Sequence, residues 1–251
     1  KFQNIDTGNA LGIFWGIVLL INILSYVSLI RYGDNFIGVR VSESANINEL
    51  NVRLISIAAS NIIPILIFII ICCYELYYEY FPIAISFSVT RKDFYKAAII
   101  TNLLLAFVFA VIQTAFMKID MLLISSLGKY PMTNFEIFNI SADSSLLVIF
   151  SLFLDFLAFM SLLNLLSALN YKLGFKLWII LGVLISLTPS FLRISLSRII
   201  ENIFFTRINP SNAVAAAAII ILFYLAAYYV TINTNIKNKM RCNMLDKLEF
   251  L

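Results

Sequence analysis

Thr90, Arg91, Lys92 and Asp93 form a dense polar run in an otherwise apolar neighbourhood. A threonine followed three residues later by an acid is the spacing of a helix N-terminal capping box. There the hydroxyl takes up a backbone amide that the helix cannot satisfy. The run follows Phe81, Pro82, Ser86, Phe87, Ser88 and Val89. Proline suits the first turn of a helix. Ile83, Ala84 and Phe87 give about two turns of apolar face. These residues predict a short helix lying across the foot of one long helix, then a capped start to the next. Arg91 and Lys92 would sit at the membrane boundary. The chemistry is recognition of a partner, not catalysis.

The other candidates lie inside apolar runs. Asp155 falls near the middle of one. A carboxylate there costs roughly 2.5–3.5 kcal/mol on insertion scales, so it is expected to face other helices or a wet cavity. It is either a substrate- or ion-contacting residue or a hydrogen-bonded acid holding two helices together. Asn164, nine positions on, falls on the opposite face. Asn102 and Gln113 are eleven apart and share one face. They could line an interface or a substrate path, or serve as packing bonds between helices. The chain has no histidine. That excludes His-Glu-x-x-His zinc hydrolases and haem ligation through histidine. No catalytic constellation, metal-ligand set or phosphate-binding glycine loop is present. Cys72, Cys73 and Cys242 form no disulfide framework.

The elements that position these residues are membrane helices. The chain is 251 residues long, 61% hydrophobic and 13% charged, against about 25% charged in soluble domains. Its apolar runs approach the roughly 20 residues a helix needs to cross a bilayer. The reading is an all-α polytopic membrane protein, one transmembrane domain over 1–251. Its six spans fall at about 11–30, 54–80, 91–117, 146–170, 173–192 and 212–232. Basic residues are denser in the short segments on the side of both termini, which predicts N-in, C-in topology. The net charge of +4 fits that distribution and not nucleic-acid binding. Tyr74, Tyr77, Tyr78 and Tyr80 read as an interfacial aromatic belt. Leu192, Leu196, Ile199, Ile200 and Ile203 recur at helical spacing and predict an amphipathic helix on the outer side before the last span. Gly8, Gly12 and Gly16 have the spacing that lets helices approach closely.

The stretch Phe81, Pro82, Ala84, Ser86, Phe87, Thr90, Arg91, Phe94 and Tyr95 resembles the cytoplasmic loop of small bacterial ABC-2-type permeases, the membrane subunits of ATP-driven exporters. The family pattern has glycine where this chain has Ser88. The resemblance implies that Phe81, Pro82, Ser86, Phe87, Ser88, Val89, Thr90, Arg91 and Lys92 form a coupling helix seated on an ATPase subunit. It further implies a second permease subunit, a bilayer setting in a bacterial plasma membrane, and ATP and magnesium bound by the partner and not by this chain. The chain itself would not be an enzyme. The few charges inside the spans favour an amphiphilic cargo such as an antimicrobial peptide. A self-contained secondary transporter or channel, and a non-transporting membrane scaffold, are the alternatives.

Overall fold

The computed structural model of the chain describes residues 2–33, 37–44, 51–187, 207 and 209–234. Helix α1 (Phe2–Tyr32) leads to an antiparallel hairpin of β1 (Val39–Ser44) and β2 (Asn51–Ser56). A 3-10 turn (Ala58–Asn61) opens α2 (Ile62–Glu75), which runs through a π turn (Leu76–Tyr80) into α3 (Phe81–Ser86). After a short reversal come α4 (Arg91–Ser126), β3 (Tyr130–Pro131), α5 (Ser145–Leu173), α6 (Lys176–Leu187) and α7 (Pro210–Ile232). Five helical runs among the described residues are long and apolar enough to cross a membrane: Gly8–Tyr32, Ala58–Ser86, Arg91–Ser126, Ser145–Leu173 and Pro210–Ile232. The protein is membrane-embedded and mostly helical.

The helices expose a great deal of apolar surface, including Ile17, Leu20, Leu24, Ile63, Leu104 and Leu225. Such surface is stable against lipid, where only helices and closed barrels satisfy every backbone group. Lipid gives no hydrophobic drive between helices, so close packing and polar bonds must hold them. Helix α5 lies at the centre, against α2, α4 and α7. Its Val148, Leu152 and Met160 meet Ile65 and Ile69 of α2, Ala106, Phe109 and Ala110 of α4, and Ile220 and Ala227 of α7 in one core. The alanines let the backbones approach. Helix α1 joins through aromatic rings. Phe14 lies 4.7 Å from Phe68, and Trp15 stacks on Phe116 at 5.6 Å.

The structure departs from the sequence reading in four places. A three-stranded sheet, with β3 parallel to β2, caps one end of the helices. Leu54 belongs to β2, so the second span begins at Ala58. Helix α4 runs to Ser126 and not to about 117. At 36 residues it is about 54 Å long, well beyond a bilayer core of about 30 Å. Lastly, among the described residues nothing packs against the small-residue stripe. A Cβ added at Gly8, Gly12 or Gly16 would have nothing within 4 Å. The expected amphipathic helix over 192–203 and the last part of the fifth span, 188–192, lie outside the described residues.

The bundle has two distinguishable ends. At the hairpin end lie the sheet, the start of α2 and the end of α4. At the other, the Phe87 end, lie the α3–α4 reversal and the turn at Gly174–Phe175. Helix α5 finishes at the Phe87 end. Helix α7 begins at the hairpin end, where Arg207 pairs with Asp143. The amide of Asn139 and Arg207 together hold the Asp143 carboxyl below its ordinary range. That contribution is present above the unfolded value of about 3.9 and is lost as pH falls through the lowered one.

Candidate functional site

The reversal between α3 and α4 is built by backbone hydrogen bonds. Ser88 N–H donates to Ile85 O at 3.0 Å and Val89 N–H donates to Ala84 O at 3.1 Å. This is a Schellman closure, and it places Ser88 in the left-handed region at φ 62°. The far end of α4 closes the same way around Gly128 at φ 70°, with Gly128 bonded to Ser125 and Lys129 to Ile124. Glycine takes that conformation without a Cβ clash; serine does not. Ser88→Gly is therefore expected to raise the unfolding free energy by about 1 kcal/mol. Thermal unfolding of the purified protein in detergent measures it, and a lower melting temperature would contradict it.

Thr90 then caps α4 as the sequence implies. Asp93 N–H donates to Thr90 Oγ1 at 3.1 Å, and the threonine hydroxyl donates to Asp93 Oδ2 at 2.6 Å. Arg91 turns inward. Its Nη1 donates to the carbonyl of Ile232 at 2.6 Å, the last residue of α7. A cation there satisfies a carbonyl left over at a helix end and meets the negative end of the helix dipole.

The expected separate transverse helix is not found. Backbone angles at Glu75, Leu76, Tyr80 and Phe81 are all right-handed helical, so α2, the π turn and α3 run on without a loop. Pro82 explains the π turn. A proline inside a helix lacks an N–H and clashes with the preceding turn, and the wider π turn relieves that crowding. The belt reading of the tyrosines also changes. Tyr77 is buried, and its hydroxyl donates to Asn164 Oδ1 at 2.7 Å. Of the nine implied coupling residues, Phe81 is 0% exposed and packs against Phe94 and Tyr171. Ser86, Ser88, Val89, Thr90 and Lys92 are exposed, and Phe87 is 77% exposed at the tip.

Within the spans, Asn102 and Gln113 are both buried on one face of α4, but they bond to different elements. Asn102 Nδ2 donates to the Tyr224 hydroxyl of α7 at 3.4 Å. Gln113 Nε2 donates to the Ala58 carbonyl at 2.8 Å. Each bond joins α4 to another element of the bundle. Asp155 is partly exposed and shares the least buried stripe of α5 with Leu162 and Leu166. It has no hydrogen-bond or ion-pair partner among the described residues, so a structural acid bonding two helices finds no support there.

One acid that sequence reasoning left in a loop organises the hairpin end. Asp120 of α4 is 2% exposed. Its Oδ1 accepts from the Tyr26 hydroxyl of α1 at 2.5 Å. Its Oδ2 accepts from Ser56 Oγ at 2.7 Å, Ile57 N at 3.1 Å and Ala58 N at 3.2 Å. Ser56 Oγ in turn accepts from Ala59 N at 3.1 Å. An anion at a helix start meets unsatisfied amides and the positive end of the dipole. Asp120 thus fastens α1, the start of the α2 run and α4 to one another.

Comparison with family models, curated proteins and solved structures finds no match for this chain.

Proposed function

We propose that the chain is the permease subunit of an ATP-driven exporter of the ABC-2 type. The hydrolysis sites, with ATP and magnesium, belong to a separate ATPase chain. The observation that carries this reading is the reversal at the Phe87 end. A highly exposed phenylalanine stands on a hydrogen-bonded turn between two long helices, and Arg91 beside it holds the end of a third. A displacement imposed at Phe87 would be delivered to α3, α4 and α7 together. That is how closure of a soluble partner could drive rigid-body motion of membrane helices. Such a surface also suits a docking protein better than lipid alone, because Lys92 and Lys96 flank it and an acidic groove rim would complement them.

Helix α5 ends and α7 begins at opposite ends of the bundle, which supports a sixth crossing by the segment 174–209. With six crossings both termini lie on the Phe87 side. We place that side in the cytoplasm of a bacterial plasma membrane, N-in and C-in. Two permease subunits would enclose the cargo path, and Asp155 is the candidate residue on it. An amphiphile, an antimicrobial peptide above all, is the cargo class that a sparsely charged lining favours. Asp155, without a partner among the described residues, is also the observation that favours the rival reading, a self-contained secondary transporter. Affinity purification from native membranes separates the two. An ABC-type ATPase should co-purify with the wild-type chain and be lost with Phe87→Ala while the permease remains folded. A chain that purifies without an ATPase would overturn the proposal.

A further inference from the structure

Asn164, Ser167 and Tyr171 recur at i, i+3 and i+7 and form one stripe of α5. The stripe faces the π turn. Asn164 accepts from the Tyr77 hydroxyl, and the Tyr171 ring lies 5.7 Å from Tyr78 and 5.5 Å from Phe81. Ser167 stands between them. The three are buried to exposures of 0%, 0% and 5%. Even so, Asn164 Nδ2, Ser167 Oγ and the Tyr171 hydroxyl have no partner among the described residues.

Across the seam the π geometry changes a backbone acceptor. Phe81 N–H donates to Leu76 O. The Tyr77 carbonyl therefore loses the donor that an α-helix would give it at that position. Donors on α5 thus face a turn in which an acceptor has been released, and the bond from Tyr77 to Asn164 Oδ1 leaves those donors unpaired. Buried polar groups in folded proteins are satisfied by protein or by ordered water. We propose that this seam is an internal water-binding site, in which ordered water bridges the α5 stripe to the π turn. A neutral ligand that both donates and accepts suits an amide, two hydroxyls and a carbonyl, since an ion would find no counter-charge among them. The site is independent of the transport reading.

Hydroxyl-radical footprinting by X-ray radiolysis, on the full chain in lipid nanodiscs, tests the site. Radicals generated from water held in place modify the side chains beside it. Tyr95 is the matched control, because it is 2% exposed and its hydroxyl is bonded to the Tyr224 carbonyl at 2.7 Å. Tyr171 should be modified several-fold faster than Tyr95. Equal, slow modification of both would overturn the proposal. Ser167→Ala keeps the packing volume close to native and removes one bridging group. It should reduce modification of Tyr171 in a protein that is still folded, and an unchanged rate would show that the water is not held by this stripe.

Discussion

Asp120→Ala is expected to destabilise the protein more than any other single substitution proposed for it. The change leaves the amides of Ile57 and Ala58 buried without an acceptor. At about 1–3 kcal/mol for each orphaned group, the loss is about 2–6 kcal/mol. Against a total of roughly 5–15 kcal/mol, that is a large share of the folding free energy. The hydroxyls of Tyr26 and Ser56 lose the same partner, though they can rotate to others. Asp120→Asn is a milder change. Its remaining oxygen can serve Ser56, Ile57 and Ala58, and its amide can donate to the Tyr26 oxygen. The expected order of melting temperature in detergent is wild type, then Asn, then Ala. If Asp120→Ala melted like wild type, the carboxylate would not be the clasp between α1, α2 and α4.

That clasp was hidden in the sequence for a physical reason. Lys118 and Asp120 follow a long apolar run and read as the point where a span leaves the membrane. The helix instead continues intact to Ser126, and Asp120 is satisfied by hydrogen bonds from elements in distant parts of the chain. No local pattern records that Tyr26 and Ser56 will arrive. The hairpin was partly legible, since Val39-Arg40-Val41-Ser42 alternates in polarity as a strand does. The apolar run that follows masked it and drew the second span back to Leu54. The capping box at Thr90 was fully legible, being a local signal satisfied within four residues. Arg91 was legible only as a charge near a boundary. Its bond to Ile232, 141 positions away, depends on how the helices pack. The π turn had one visible cause, Pro82, which reads equally well as a helix start when nothing reveals that the helix is already under way.

Asp155 is expected to show the opposite balance from Asp120. It makes no bond that stabilises the described structure, and a carboxylate within a span carries a penalty. Asp155→Leu should therefore raise stability by up to about 2–3 kcal/mol while sharply reducing transport. Asp155→Asn keeps size and polarity. It should leave assembly intact and alter the stimulation of ATPase activity by cargo. Melting temperature and cargo-stimulated hydrolysis, measured on the same preparations, separate the two effects. A stable Asp155→Leu protein with unchanged transport would remove Asp155 from the cargo path.

The proposed function rests on energy entering at Phe87 from a partner. Reconstitution into proteoliposomes, with the partner ATPase present or absent, tests it most directly. The cargo would be a fluorescent amphipathic peptide, driven in turn by ATP and by an imposed proton or sodium gradient. The expected result is peptide movement only with both the ATPase and ATP, and its loss in Phe87→Ala vesicles that hold the same amount of folded permease. Movement driven by an ion gradient in vesicles lacking the ATPase would contradict the account.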